Sequence, residues 1–279
     1  MSGISLTAGI RANLLALQSV SDSLNETQAR LATGKKVNSP IDNPDSFFTA
    51  YKLAIRAGEL TIGLDTIAKG VKTLNVASAG IAAMKDLLTQ AKGVAQGARA
   101  LSTAATTDAE RRSAAGEFNR LLAQSDTVAK DASFDGVNLL HNDSLMVEFG
   151  GKAGSSTSNL AGFDATSGGP VVTATAQTAA NWTGDNTAID NAIATIERSV
   201  ANLETQSGVL RTNLGILTTR KTFTEDMVSC LNTGAADLTN ADLRTETTAH
   251  LALASRQNFA TNALLLASQN AQLVLRLLG

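Results

Sequence analysis

IDNAIATIERSVANLETQSGVLRTNLGILTTRKTFTEDMVSCLNTGAADL, residues 189–238, is the stretch whose spacing decides the fold. Alternating steps of four and three select Ile189, Ile193, Ile196, Val200, Leu203, Ser207, Leu210, Leu214, Leu217, Lys221, Thr224, Val228, Leu231, Ala235 and Leu238 without a slip of register. Twelve of these fifteen positions are apolar, so the pattern is one amphipathic helix with a narrow seam. Fifty residues at ~1.5 Å each make a helix roughly 75 Å long. A compact ball of 279 residues has a radius of gyration near ~19 Å and a diameter of about 50 Å. The helix does not fit inside such a globule. The expected fold is therefore mainly α: an elongated rod of long antiparallel coiled-coil-like helices drawn from both chain ends, with a small β-hairpin or loop insertion in the middle.

The rhythm continues on both sides of this stretch. A last helix opens around Asn240-Ala-Asp-Leu-Arg-Thr-Glu246 and puts Leu253, Ala260, Leu264, Ala267, Ala271, Val274 and Leu278 on one seam. Near the N-terminus Ile10, Leu14, Leu17, Leu24 and Leu31 keep the same spacing, with Ser21 and Gln28 in the two polar slots. Both stripes need a partner, and the simplest arrangement pairs the two terminal helices with each other and then with further copies. The first helix is expected to stop at Gly34, where a left-handed residue closes a helix, with Arg30, Lys35 and Lys36 complementing the negative end of its dipole.

Pro40 forbids continuation, and a second helix is expected to start at Pro44 behind Asn43 as N-cap. Its seam is Leu60, Leu64, Ile67, Val71 and Leu74, then, after a one-residue slip, Ala77, Ile81, Met84, Leu88, Ala91, Ala95 and Ala98, so it runs to about residue 101. Thr107-Asp-Ala-Glu110 reads as a capping box opening a third helix with Ala115, Phe118, Leu122, Ser125 and Ala129 on its core face. In the middle, Phe134-Asp-Gly-Val137 carries an Asp-Gly turn signal, and Leu145–Phe149 and Val171–Thr175 read as short strands. Residues 150–187 are rich in Gly, Ser, Thr and Ala, which suits an insertion and not a second domain.

Composition narrows the chemistry. A formal charge of −2 with no basic stripe argues against nucleic acid. Aromatics at 4 % leave aliphatic cores suited to helix-on-helix seams. The single cysteine, Cys230, excludes an internal disulfide and is expected to act as a small hydrophobe in a helix. No basic segment followed by an apolar core opens the chain, and no run of about 18 apolar residues spans a membrane. Zinc hydrolysis would need His-Glu-x-x-His, but the two histidines, His141 and His250, lie far apart without such neighbours. No cofactor, metal site or catalytic residue is expected, and the chain does not read as an enzyme.

Arg30-Leu-Ala-Thr-Gly34, Asn38-Ser39, Asp42, Phe134-Asp-Gly-Val137, Asn240-Ala-Asp-Leu-Arg-Thr-Glu246 and Val274-Leu-Arg-Leu-Leu278 together resemble segments of the bacterial flagellins. Arg30-Leu-Ala-Thr-Gly34, Asn38-Ser39 and Asp42 resemble the family's Arg-Leu-Ser-Ser-Gly segment with its following Asn-Ser and acidic residue. Phe134-Asp-Gly-Val137 resembles the family's Phe-Asn-Gly-Val. Asn240-Ala-Asp-Leu-Arg-Thr-Glu246 and Val274-Leu-Arg-Leu-Leu278 resemble its two C-terminal motifs. The resemblance covers the first hundred residues and the last ninety.

It implies a structural subunit that polymerises into the flagellar filament for swimming motility, exported unfolded without a cleaved signal peptide to the extracellular filament tip. Partners would be further copies of the chain, the filament cap, the hook-filament junction proteins and an export chaperone. The implied layers are residues 1–43 as inner helix and spoke, 44–139 as N-terminal rod helices, and 140–187 as a short variable insertion. Residues 188–238 are then the C-terminal rod helix and 239–279 the C-terminal inner helix. The inner-tube interface would use Ile10, Leu14, Leu17, Leu24, Leu31, Leu253, Leu264, Val274 and Leu278; the spoke would use Gly34, Lys35, Lys36, Pro40, Asp42 and Pro44, with Lys35, Lys36, Asp42 and Asp45 facing neighbours. Both chain ends would be disordered in the free subunit and fold on assembly.

The chain departs from the family at Pro40-Ile-Asp-Asn-Pro-Asp-Ser-Phe-Phe48, where an Ala-Lys-Asp-Asp-Ala-Ala-Gly segment is usual. It also has Lys85 and Asp86 where a patch read by an innate immune receptor carries Arg and Glu. A hook-filament junction protein shares the terminal blocks and is the alternative reading. A ligand-binding surface protein using the Ser/Thr-rich middle, which otherwise reads as a solvated loop open to O-glycosylation, is a more remote one.

Overall fold

The structure, a computed structural model, describes residues 8–151, 154 and 156–278. Residues 1–7, which carry the start of the segment read as lacking a signal sequence, lie outside the described residues. In chain order the elements are α1 (Ala8–Thr33), α2 (Pro44–Ala100), α3 (Asp108–Asp131), β1 (Ser144–Glu148), β2 (Thr157–Ala161), α4 (Thr187–Thr239) and α5 (Leu243–Leu278), with short 3₁₀ turns at Ala105–Thr107 and Ala179–Trp182. The fold is mainly α with one small antiparallel sheet, as the spacing predicts. Two compact units are formed: Met1–Ile55 with Cys230–Gly279, and Arg56–Ser229; α2 and α4 each contribute residues to both.

The second unit contains the closed core. On α4 the residues at sevenfold spacing, Ile189, Ile196, Leu203, Leu210, Leu217 and Thr224, are at most 2 % exposed, and the intervening Ile193, Val200, Ser207 and Leu214 are half-buried. Ile67, Leu74, Ile81, Met84 and Leu88 of α2 and Ala115, Phe118, Leu122 and Ala129 of α3 complete the cluster, including the slip between Leu74 and Ala77. The two long helices are antiparallel. Lys85, Lys92 and Arg99 of α2 reach Glu204, Glu197 and Asp190 of α4, so each step of seven up one helix is a step of seven down the other. Such exposed pairs contribute little stability each, but they mark the register.

Arg111 locks one end of this bundle. Its guanidinium is wholly buried on α3 and faces carbonyl groups: Nε donates to Trp182 O at 2.5 Å, one terminal nitrogen to Leu101 O and Ser102 O, and the other to Asp185 O and Asn186 Oδ1. Five donors in a rigid fork thus gather the segment after α2 and the segment leading into α4. Trp182 packs beside them against Phe118, with ring centroids 5.4 Å apart.

The insertion docks on a second stripe of α2. Val147 and Leu160 are buried on the inner face of the β1–β2 pair, whose register sets Leu145 opposite Leu160 and Val147 opposite Ser158. A Cβ on Gly70 would lie 2.8 Å from Val147 Cγ2, and one on Gly63 only 2.6 Å from Phe149 O. Two glycines seven residues apart therefore admit the insertion. Gly151 N donates to Glu59 O at 2.7 Å beside them. The Asp-Gly turn forms as expected, with positive φ at both Asp135 and Gly136 and reciprocal bonds between Phe134 and Val137.

Three local expectations are corrected. Val171–Thr175 is no strand; the second strand is Thr157–Ala161. The backbone of this strap is held by helix side chains instead of a ladder: Asn202 Nδ2 donates to Val171 O and Ala174 N donates to Ser199 Oγ, while just beyond it Asn119 both donates to and accepts from Gln177. Thr107 does precede α3, but its hydroxyl donates to the carbonyls of Ser102 and Ala104 instead of capping the helix, so no capping box forms. Cys230 lies on α4 but is exposed, not packed as a hydrophobe.

Candidate functional site

The first unit brings the two terminal helices together. α1 and α5 pack side by side. On α1 Ile10, Leu17, Leu24 and Leu31 are half-buried, and on α5 Leu253, Ala260, Leu264 and Ala267 are half-buried. Leu14, expected on the same seam, is 48 % exposed. Gln28, expected in a polar slot, is exposed, and its neighbour Thr27, 7 % exposed, is the buried residue of this turn. The covered face runs through Leu17, Val20, Leu24, Thr27 and Leu31, in steps of three and four that keep the sevenfold leucines and take Thr27 in place of Gln28. Val274 and Leu278 belong to the last turns of α5, and their side chains lie outside the described residues.

Polar groups link the pair, Gln28 of the expected polar slots among them. Arg30 donates to Glu246 on α5 at 3.2 Å and to Glu26 on its own helix at 2.5 Å. Gln28 Nε2 and His250 Nε2 lie 3.3 Å apart. His250 thus sits in the seam, whereas His141 forms an isolated bridge with Asp164 in the insertion.

Large apolar side chains stand uncovered on both helices, few on α1 and more on α5. Leu15 is 67 % exposed, Leu251 69 %, Phe259 72 %, and Leu265 and Leu266 60 % each. Phe259, Leu266 and the exposed Leu273 repeat every seven residues, a second stripe beside the paired one.

Residues 34–43 connect α1 to α2. Gly34 has φ +68° and donates to Arg30 O at 2.8 Å, the left-handed helix closure its position called for. Asn43 Oδ1 accepts from Ser46 N at 3.0 Å, and α2 starts at Pro44. The connector is stitched to the bend between α4 and α5. Lys36 N and Val37 N donate to Thr239 O, Ala241 N donates to Gly34 O, and Lys36 Nζ donates to Asp237 O at 2.8 Å. Lys36 is therefore engaged within the chain.

Asp42 is also engaged. Its Oδ2 accepts from Asn38 N, Ser39 N and Ser39 Oγ, and the two backbone bonds hold its carboxyl below the ordinary aspartate value. At the bend, Asp242 caps α5 by accepting from Thr245 Oγ1, Thr245 N and Arg244 N, which lowers its pKa in the same way. Lys35 and Asp45 are exposed.

Among the described residues no group of three His, Cys, Asp or Glu could hold a metal ion, and no helix is long and apolar enough to cross a membrane. What the described surface of this unit does offer is the exposed apolar side chains of α1 and α5.

Comparison with known proteins finds relatives of this chain. A model of the bacterial flagellin N-terminal helical region matches residues 5–144. Flagellin FljM of Caulobacter vibrioides is 29 % identical over 99 % of this chain and 98 % of its own length. Flagellin FljK of the same organism is 28 % identical over the same shares of both chains. The flagellin of Listeria monocytogenes is 23 % identical over 44 % of this chain and 42 % of its own. Among solved structures, Bacillus cereus flagellin aligns with a TM-score of 0.47 at 15 % identity, covering 56 % of this chain and 86 % of that one.

Proposed function

The chain belongs to the bacterial flagellin family, and from that premise we propose that it polymerises into an extracellular flagellar filament for swimming, with α1 and α5 of many copies forming the inner tube. It is a structural protein and not an enzyme. The observation that carries the inner-tube reading is the terminal pair itself: it closes one seam within the chain and leaves a second, at Phe259, Leu266 and Leu273, facing outward. Contiguous apolar surface of this kind is a binding face.

In this reading Ile10, Leu17, Leu24, Leu31, Leu253 and Leu264 hold the pair together, while Leu14, Leu15 and the α5 stripe meet neighbouring copies. Residues 1–43 are the inner helix and spoke, the spoke being residues 34–43; residues 44–139 and 188–238 are the rod helices, 140–187 the variable insertion and 239–279 the C-terminal inner helix. The partners of this reading are the filament cap, the junction proteins and an export chaperone that shields the same apolar face before assembly. A junction protein is the less favoured reading, since relatives matching almost the whole chain are flagellins.

Seeded growth tests the proposal. Full-length protein added to filament fragments is expected to extend them in electron micrographs. A chain lacking residues 265–279 is expected to stay soluble and helical yet add nothing; normal extension by that truncation would refute the inner-tube role.

A further inference from the structure

Ile41 is the most exposed large hydrophobic residue of the described chain, at 92 %. It stands on the turn Ser39–Asp42, closed by Asp42 N donating to Ser39 O at 3.2 Å. Pro40 fixes the backbone ahead of it, and the Asp42 carboxylate holds the turn through Asn38 N, Ser39 N and Ser39 Oγ. Single exposed hydrophobics are ordinary. This one, however, is presented on a rigid turn, so little further order is lost when it binds.

The same unit contains a hollow of ≈ 320 Å³ between the connector, the start of α2 and the end of α4, walled by Phe47, Ala50, Tyr51, Ala54, Ala235 and Ala236. Ile41 is not among its walls. We propose that Ile41 of one copy seats in this hollow on a neighbouring copy, so that the connector acts as a knob and the adjoining face as its hole.

Charge supports a second copy as the occupant. The knob is flanked by Asp42 and Asp45, and the hollow is rimmed by Lys35, with Lys52 next to its wall residue Tyr51; all four are exposed, and none forms an ion pair within the described residues. Acid beside the knob meets base beside the hole. Knob and hole lie close together on the connector without overlapping, since Asn38 borders the hollow and Ile41 does not; in the filament reading the contact repeats head-to-tail from copy to copy. The contact rests on the filament reading, and lies in the stretch where this chain departs from the family's usual sequence.

Cross-linking tests it. In a Cys230→Ala background, chains carrying Ile41→Cys and chains carrying Ala54→Cys are mixed as minor fractions with parental subunits and grown on filament seeds, then mildly oxidised. A disulfide requires Cα atoms within about 7 Å. A covalent dimer is expected from filaments holding both variants, and none from the unpolymerised mixture or from filaments holding either variant alone. Filaments that contain both variants but give no dimer overturn the contact. Parental subunits that fail to extend seeds overturn the filament reading itself, and the contact with it. As a second readout, Ile41→Ser is expected to slow seeded growth about tenfold or more while leaving the helical melting curve unchanged. Growth at the parental rate overturns the proposal.

Discussion

Two seams written with the same alternation of apolar residues end in different states. On α4 in the second unit, every seventh residue from Ile189 to Thr224 is at most 2 % exposed. On α1 and α5, Thr27 is the one described residue that is buried, and large apolar side chains such as Phe259 remain 72 % exposed. The difference lies in how many elements surround each seam. α4 meets α2, and its core also takes in α3, the β pair and the strap at residues 171–174. α1 and α5 meet mainly each other. A pair of helices covers one side of each helix and no more. The comparison teaches that a seam closed within the chain holds the fold, whereas one left half open keeps apolar surface for the contacts between copies that we propose.

The harshest way to break the closed seam is Leu210→Asp, which buries an unpaired carboxylate. It should cost about 4 kcal/mol and remove the cooperative thermal transition of the second unit followed by circular dichroism. Next comes Arg111→Leu. It keeps bulk but leaves the carbonyls of Trp182 and Asp185 without their donor, and should cost about 3 kcal/mol in urea unfolding.

Glycines sharpen the contrast between closed and open helix faces. Gly63→Ala drives a Cβ to within 2.6 Å of Phe149 O and should destabilise by about 1–3 kcal/mol. Gly58→Ala, five residues earlier with nothing within 4 Å, should stabilise by about 0.5–1 kcal/mol. Urea midpoints that shift in opposite directions would support this account, and equal shifts would break it.

The smallest effect belongs to the connector. Because its backbone bonds lower the Asp42 pKa in the folded chain, their support is complete above the ordinary aspartate value of 3.8 and is lost as pH falls through the lowered one. Amide exchange at Asn38 and Ser39 should therefore accelerate below about pH 4 in the native chain, and lose that pH step in Asp42→Asn.

How much of this the sequence disclosed follows from the same contrast. The α4 seam was legible because full burial on one face enforces the spacing, and even the slip at Leu74 in α2 was visible. Gly34, Asn43 and Pro44 were legible because each acts through its own backbone. Arg111 was not: on α3 it reads as a surface charge, and its partners are carbonyls from segments at residues 101–102 and 182–186, which carry no side-chain signature. Val171–Thr175 misread as a strand because burial on helices and burial in a sheet select the same apolar residues. β2, Thr-Ser-Asn-Leu-Ala, escaped notice because Leu160 is its one buried residue. The glycines under the insertion were readable in principle from the seven-residue spacing of Gly63 and Gly70. In the terminal pair, the helices and most of the seam were legible. The burial of Thr27, the Arg30–Glu246 link and the exposure of Leu14 depend on how two helices meet, which one helix's periodicity does not contain.

The central claim is that the outward stripe of α5 is covered by other copies of the chain. It is tested most directly by placing Leu266→Cys in a Cys230→Ala background and measuring the rate at which a soluble thiol reagent modifies it before and after seeded polymerisation. The account predicts rapid modification of the free subunit and strong protection in the filament. Equal rates in both states would contradict it.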